Sequence, residues 1–295
     1  MKMLVFGGIG RTGEVLCRAA ARRGWAVLAP AHAECDLLDT EAVSDYVLGC
    51  GADAVVNCAA ISSLEACLEN PLAAHLVNAV APSAMALACR HTGARFVHLS
   101  TDYVLDGRRA GKKPVSARCR PCSVYGESKR EGELQVAEAF RESVIARVSW
   151  ICGHPGKPAF VEKVLRAARE GSPLAAIADK FSLPTDVQDI ARAVLELVAM
   201  DACGTVQLCS GGEPMSWYDC ARTALRTAVE EGFLPELPPV ARQLLGQVSF
   251  FREERPRHTA MDNSLLLSLG IPMPSAEETL RTVSRRYLAA VRADR

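Results

Sequence analysis

Met3-Leu-Val-Phe-Gly-Gly-Ile-Gly-Arg-Thr-Gly13 is an apolar run that stops abruptly in glycines, and Val15, Leu16, Ala19 and Ala20 then recur at helical spacing. Strand, glycine turn and helix in that order form an arrangement suited to a dinucleotide. Glycines at Gly7, Gly10 and Gly13 let the backbone approach a pyrophosphate, and the helix start offers unpaired N–H groups and the positive end of a dipole. The context carries this reading, because glycine spacing alone serves any tight turn into a helix.

Working outward, the next strand, Ala26–Ala29, runs into Pro30-Ala-His32, with no carboxylate where a dinucleotide site places an acid on the adenosine ribose. Arg11 in the glycine turn and His32 past the strand would meet a 2′-phosphate with positive charge. NADPH is therefore the expected cofactor, with NADH left open. Asp36-Leu-Leu-Asp39 precedes a helix from about Thr40, which Asp39 or Thr40 can cap, and Asp36 is placed near the adenine. Ala54–Asn57 is a third strand, leading into Cys58-Ala-Ala60, small residues where a cofactor must pass closely. Helical periodicity runs from about Pro71 to Arg90 with an interruption at Pro82. Arg95–Leu99 is a fourth strand, ending in Ser100-Thr-Asp-Tyr103, and Ser143–Arg147 is a fifth.

Strands alternating with helices predict an α/β fold, a doubly wound Rossmann-type parallel sheet with ligands beyond the carboxyl ends of its strands. Past Trp150 the pattern changes to helices joined by Pro- and Gly-containing loops such as Gly153-His-Pro-Gly-Lys-Pro158. Residues 1–152 are thus expected to form the dinucleotide-binding domain, and 153–172 with 211–295 a smaller, mainly helical substrate-binding lobe. Between them, about 173–210 is expected to return to the main sheet, as strands near Leu174–Ile177 and Thr205–Cys209 flanking a helix at Asp186–Val198. Ser275-Ala-Glu-Glu278 reads as a capping box opening the last helix.

A chain of 295 residues with 49% hydrophobic and 23% charged residues can bury a sizeable core, which excludes a disordered protein or a small stapled scaffold. Its net charge of zero points to neither a nucleic-acid nor a membrane partner. No apolar run is expected to approach the roughly 20 residues of a membrane span, and a cytoplasmic protein is expected. The 12 cysteines fall in apolar segments such as Val56-Asn-Cys58, where a reduced thiol behaves as a small hydrophobe. Cys119 and Cys122 have zinc spacing but no second pair or His cluster to complete four ligands, so no metal is expected.

Ser123-Val-Tyr-Gly-Glu-Ser-Lys129 places a phenol and an ammonium on one face of a predicted helix start. Tyrosine titrates near about 10, and a cation one turn away favours its ionised form. Tyr125 could then pass a proton to a carbonyl oxygen while hydride reaches the carbon.

Taken together, these motifs resemble the extended short-chain dehydrogenase/reductases and, within them, the dTDP-4-dehydrorhamnose reductase family. Ser100-Thr-Asp-Tyr-Val-Leu-Asp-Gly107 is similar to the family's STDYVFDG, Pro121-x-x-x-Tyr-Gly-x-Ser-Lys129-x-x-Gly-Glu133 to its catalytic helix, Arg147-Val-Ser-Trp150 to its RTSW segment, and Arg255-Pro256 with Met261-Asp-Asn263 to its late substrate-lobe motif. The resemblance covers nearly the whole chain. It implies Thr101, Tyr125 and Lys129 as the catalytic triad: Thr101 on the substrate carbonyl, Tyr125 as proton donor, and Lys129 lowering the tyrosine while holding the ribose. It implies Gly7, Gly10, Arg11, Thr12, Gly13, Asp36, Leu37, Cys58, Ala59, Ala60 and Asn78, with Tyr125 and Lys129, as cofactor contacts. Ser62, Asp102, Tyr103 and Trp150 become sugar contacts, for a nucleotide-sugar substrate reduced at a 4-keto group by NADPH. A homodimer is left open. Some members hold a metal through a Glu in the first helix, at the position of Val15; Glu14 is turned away by about 100°, and no metal is implied. The loop Arg108–Arg120 is basic where the family is acidic, which suits an anionic diphosphate or a solvated face. Two rival readings share these motifs: a nucleotide-sugar epimerase, and a regulatory subunit like the beta subunit of methionine adenosyltransferase.

Overall fold

In the computed structural model, which describes residues 1–293, six parallel strands form one sheet in the order Gly204–Leu208, Val144–Val148, Arg95–Thr101, Ala54–Asn57, Lys2–Phe6, Ala26–Leu28. Strand side chains alternate between faces, and here both faces are apolar, as a sheet wound with helices on each side requires. Met3, Val5, Val56, Val97, Leu99 and Ala146 pack with Leu16, Ala20 and the Ile190–Val198 stretch of helices Arg11–Arg22 and Val187–Ala199. Leu4, Phe6, Val55, Phe96 and Ile145 pack on the other face with Val43, Val47, Met85, Cys89 and Val136 from helices Thr40–Cys50, Ala81–Thr92 and Val124–Ala139. A third core joins helices Phe160–Arg169, Trp217–Glu230 and Ala276–Ala293 through Leu165, Ala224, Leu225, Leu280 and Val283.

The expected caps are made. Asp39 accepts the Ala42 N–H at 3.0 Å. Ser275 accepts the Glu278 N–H at 3.2 Å while the Glu278 carboxylate accepts the Ser275 N–H at 2.8 Å. Each satisfies N–H groups that a helix start otherwise leaves open.

Three expectations are corrected. Leu174–Ile177 does not return to the main sheet. It pairs in parallel with Val240–Gln243, because Ala176 and Leu174 belong to the third core and carry the strand there; Gly204–Leu208 alone returns, beside Val144–Val148. The helical run is not broken at Pro82: Pro71–His75 passes through a π turn, Leu76–Val80, into Ala81–Thr92, and the ladder shifts there to five-residue spacing, Ala81 N–H donating to the Leu76 carbonyl, as the helix passes a proline with no N–H to give. Finally, Pro71–Thr92 spans 22 residues and does reach the length and apolarity of a membrane span, but half of its apolar window is buried and Ala81, Met85 and Cys89 line the core.

The π turn has a structural partner. The Asn78 carbonyl, four residues before Pro82, receives no bond from it, and Gly132 on helix Val124–Ala139 sits against that oxygen, so that a Cβ there would collide with it. The two helices approach closely at this point.

Candidate active site

Parallel strands end on one edge, and register places Phe6 beside Asn57, and Thr101 beside Val148. The segments that follow these ends make the site. Gly7 leaves its strand at φ +74°, and a Cβ on it would lie 2.8 Å from the Ala59 nitrogen. A Cβ on Gly13 would run into the Gly7 carbonyl. The glycine turn therefore presses on Cys58–Ala60, with Thr12 buried behind it, leaving a cradle of bare backbone. Helix Arg11–Arg22 has Gly10 as N-cap and no side-chain cap, and the buried Arg11 Nε has no partner. Open N–H groups and an unpaired guanidinium nitrogen fit a dinucleotide phosphate.

His32 is exposed and lies 3.7 Å from the Asp36 carboxylate, which also accepts the Leu38 N–H at 3.0 Å. Asp36 thus turns back on its own loop, beside the half-buried Leu37, and a carboxylate does lie near His32. Asn78 is fully engaged: its amide accepts from Ile61 N–H at 2.9 Å and donates to Ile61 O and Ser128 Oγ, each at 3.0 Å. It braces the loop that carries Ala60 and the exposed Ser62.

Helix Val124–Ala139 starts at Ser123, whose hydroxyl accepts the Gly126 N–H at 3.1 Å, while Glu253 accepts the Val124 N–H at 3.0 Å. Gly126 allows the approach to Tyr103, whose carbonyl oxygen would stand 2.5 Å from a Cβ. Tyr125 is thereby set beside the end of strand Arg95–Thr101, edge-on to Tyr103 at 5.8 Å between ring centroids. Burial pushes the Tyr125 phenol well above the usual tyrosine value, and the negative charge of Asp102 pushes the same way, while the Thr101 hydroxyl beside it draws it down.

Lys129 is buried on the same helix face. Its ammonium donates to the Leu99 carbonyl at 2.7 Å and lies 3.2 Å from His98 Nε2, and burial lowers it to about 8. The ammonium is thus engaged beneath the strand end, and the group that draws the phenol down is Thr101 rather than the lysine expected to do so. His98, itself buried and pushed down by burial and by Lys129, faces Asn57 through Nδ1 at 3.2 Å. Sequence reasoning missed His98, although a polar residue amid Phe96-Val97 and Leu99 in a buried strand was the available signal.

Asp102 is 4% exposed. It accepts from Ser149 Oγ at 3.1 Å and from Thr101 Oγ1 at 3.4 Å, and so lies behind the site rather than open to a sugar. Trp150 stacks on Trp217 at 5.2 Å and 14°, with Phe160 5.3 Å away. Arg255 lies 3.8 Å over the Phe251 ring and bonds Glu65 at 2.7 Å. Beside these is a cavity of about 730 Å³ lined by Arg108, Phe251, Arg252, Arg255 and Arg257, with Glu253 and Glu254. Of the basic loop, Arg108 reaches this cavity, whereas Lys113 folds back onto the Arg109 and Gly111 carbonyls at 2.5 and 2.7 Å. No cluster of three metal-ligating side chains occurs among the described residues. Glu14 is held by Lys157 at 2.9 Å, with His154 Nε2 3.2 Å away.

Residues 1–289 match the family described as RmlD substrate binding domain. The spore coat polysaccharide biosynthesis protein SpsK of Bacillus subtilis is 30% identical over 280 residues, 95% of each chain. The dTDP-4-dehydrorhamnose reductase of Escherichia coli is 32% identical over 240 residues, covering 79% of this chain and 80% of that protein. Among solved structures, a dTDP-4-dehydrorhamnose reductase from Clostridium acetobutylicum superposes with a TM-score of 0.87 at 26% identity, over 99% of this chain and all of that one.

Proposed function

The chain belongs to the RmlD substrate binding domain family, a family of NAD(P)-dependent enzymes like dTDP-4-dehydrorhamnose reductase, and on that premise we propose that it reduces the 4-keto group of a nucleotide-activated deoxysugar with NADPH, dTDP-4-dehydro-L-rhamnose first among the candidates. One observation carries this reading: Thr101 and Tyr125 meet at the strand edge that also bears the glycine cradle. The cofactor supplies hydride when bound, and the chain supplies position and charge. Gly7, Gly13 and the uncapped helix start would hold its diphosphate, with Arg11 on a phosphate. Tyr125, kept protonated by burial, gives its proton to the carbonyl oxygen as negative charge grows there. Thr101 hydrogen-bonds the same oxygen.

Supporting an anionic diphosphate substrate, Arg108, Arg252, Arg255 and Arg257 line the neighbouring cavity. Residues 1–152 with the return elements would form the cofactor domain and the C-terminal helices the substrate lobe. The protein would act in the cytosol on small molecules, either alone or as a homodimer. NADPH oxidation across a panel of nucleotide 4-keto sugars tests the proposal; no oxidation with any of them refutes it. Retained NAD with no net NADPH consumption would instead mark an epimerase, and a stable complex with methionine adenosyltransferase a regulatory subunit.

Arg11→Ala is expected to weaken NADPH by about ten-fold or more, the value of one charged hydrogen bond, and NADH far less. Fluorescence titration of both cofactors measures this. Equal weakening of the two would place Arg11 on the diphosphate or in the turn.

A further inference from the structure

We propose that Glu253 is a positioning residue: from the proposed substrate lobe, its carboxylate fixes the first turn of helix Val124–Ala139 and with it the Tyr125 phenol. The inference rests on the reductase reading above, in which Tyr125 gives up the proton. A helix start leaves its first N–H groups without partners inside the helix. Ser123, the N-cap, accepts the Gly126 N–H at 3.1 Å. The Val124 N–H, one residue before Tyr125, bonds instead to Glu253 Oε1 at 3.0 Å, 129 residues further along the chain. A carboxylate also suits the positive end of the helix dipole.

No helix or strand covers residues 249–257, so the local backbone does not hold Glu253 in place. Side chains do. Arg252 and Arg255 pair with Glu69 and Glu65, both on helix Leu64–Glu69, the second pair at 2.7 Å. The Arg255 guanidinium covers the Phe251 ring at 3.8 Å, and Phe251 stands edge-on to Trp217, the ring stacked on Trp150. Pro256 is pinned from the far side: its carbonyl accepts from the Lys180 ammonium at 2.7 Å, and a Cβ on Gly107, at φ +63°, would lie 2.7 Å from the Pro256 Cα. Phe251, Arg252, Glu253 and Arg255 also line the arginine cavity proposed for the diphosphate, so the segment that meets the substrate is the one that holds the turn bearing Tyr125. The other Glu253 oxygen, Oε2, is enclosed without a partner. A stabilising cap would satisfy both oxygens, and a buried acceptor left open costs stability rather than adding to it. The contact serves placement instead, since displacing a reacting group by about 1 Å can cost about a hundred-fold in rate.

Glu253→Ala removes the acceptor, and Glu253→Gln keeps one. In Glu253→Ala the Val124 amide is expected to exchange with solvent deuterium about ten-fold faster or more, the value of one charged hydrogen bond, and kcat to fall by about ten-fold or more. The KM of the sugar should not rise, and the NADPH dissociation constant should stay within about two-fold, because neither ligand is held by this contact. The thermal midpoint should move by no more than about 2 °C. Glu253→Gln should bring both exchange and kcat back to within about three-fold of the parent. An unmoved Val124 exchange, a loss carried by KM alone, or a Gln variant no better than the Ala variant overturns the inference. A variant that loses its fold along with its activity also overturns it, by marking Glu253 as a structural cap. If the parent protein turns over no keto sugar, the reductase reading falls by itself, and Val124 exchange in the free protein still decides whether Glu253 holds the turn.

Discussion

Tyr125→Phe is expected to lower kcat by about two to four orders of magnitude while leaving NADPH affinity within about two-fold, since one proton donor is removed and the glycine turn that would hold the diphosphate is untouched. The ring keeps its edge-on packing against Tyr103, so the fold should not change. Because burial holds the phenol above its ordinary value, the acid form is the one present throughout the neutral range, and loss of the hydroxyl cannot be masked by pH. Stopped-flow NADPH oxidation together with cofactor titration separates the two quantities. Turnover near that of the parent would mean that another group donates the proton.

Glu133→Ala is expected to lower unfolding free energy by about 3 to 5 kcal/mol, because it leaves the Arg147 guanidinium buried and unpaired. Glu133 is 1% exposed; its carboxylate accepts from Arg147 Nε and Nη2, each at 2.8 Å, from Ser100 Oγ at 2.6 Å and from Arg130 at 2.7 Å. These bonds tie helix Val124–Ala139 to strands Arg95–Thr101 and Val144–Val148. Burial raises this carboxyl, but the Arg147 hydrogen bond and charge, with Ser100 and Arg130, outweigh it, and the net direction is below 4.5. A group depressed on folding stabilises fully above its unfolded pKa and loses that contribution as pH falls through its folded one. Urea titrations should therefore show the difference between the parent and Glu133→Ala shrinking below about pH 4.5. A difference that stays constant there would assign the loss to packing instead.

Much of the fold was legible because its determinants are local. The glycine turn sits between an apolar strand and a helical period, and the strands Lys2–Phe6 and Ala54–Asn57 carry the apolar runs Met3–Phe6 and Ala54–Val56, which only a sheet covered on both faces can use. Leu174–Ile177 reads just as well as a strand, yet four residues say nothing about their partner; that is set by where the third core lies. Pro82 gave a true signal with two outcomes, a break or a shifted hydrogen-bond ladder, and only packing against helix Val124–Ala139 selects the second. In the site, Thr101, Tyr125 and the glycines belong to contiguous motifs. His98 does not, and its burial beside Lys129 arises from a contact between residues far apart in the chain.

The contact between the Asn78 oxygen and Gly132 makes Pro82 and Gly132 a single heritable character. A residue with an N–H at position 82 would draw the Asn78 oxygen back into an ordinary helical bond and rotate its amide away from Ile61. Any side chain at position 132 would meet that oxygen as it stands. Drift at either position alone is thus penalised, and passage to another pair of residues requires the two changes to arrive nearly together, so this crossing should be among the slowest parts of the lineage to diverge.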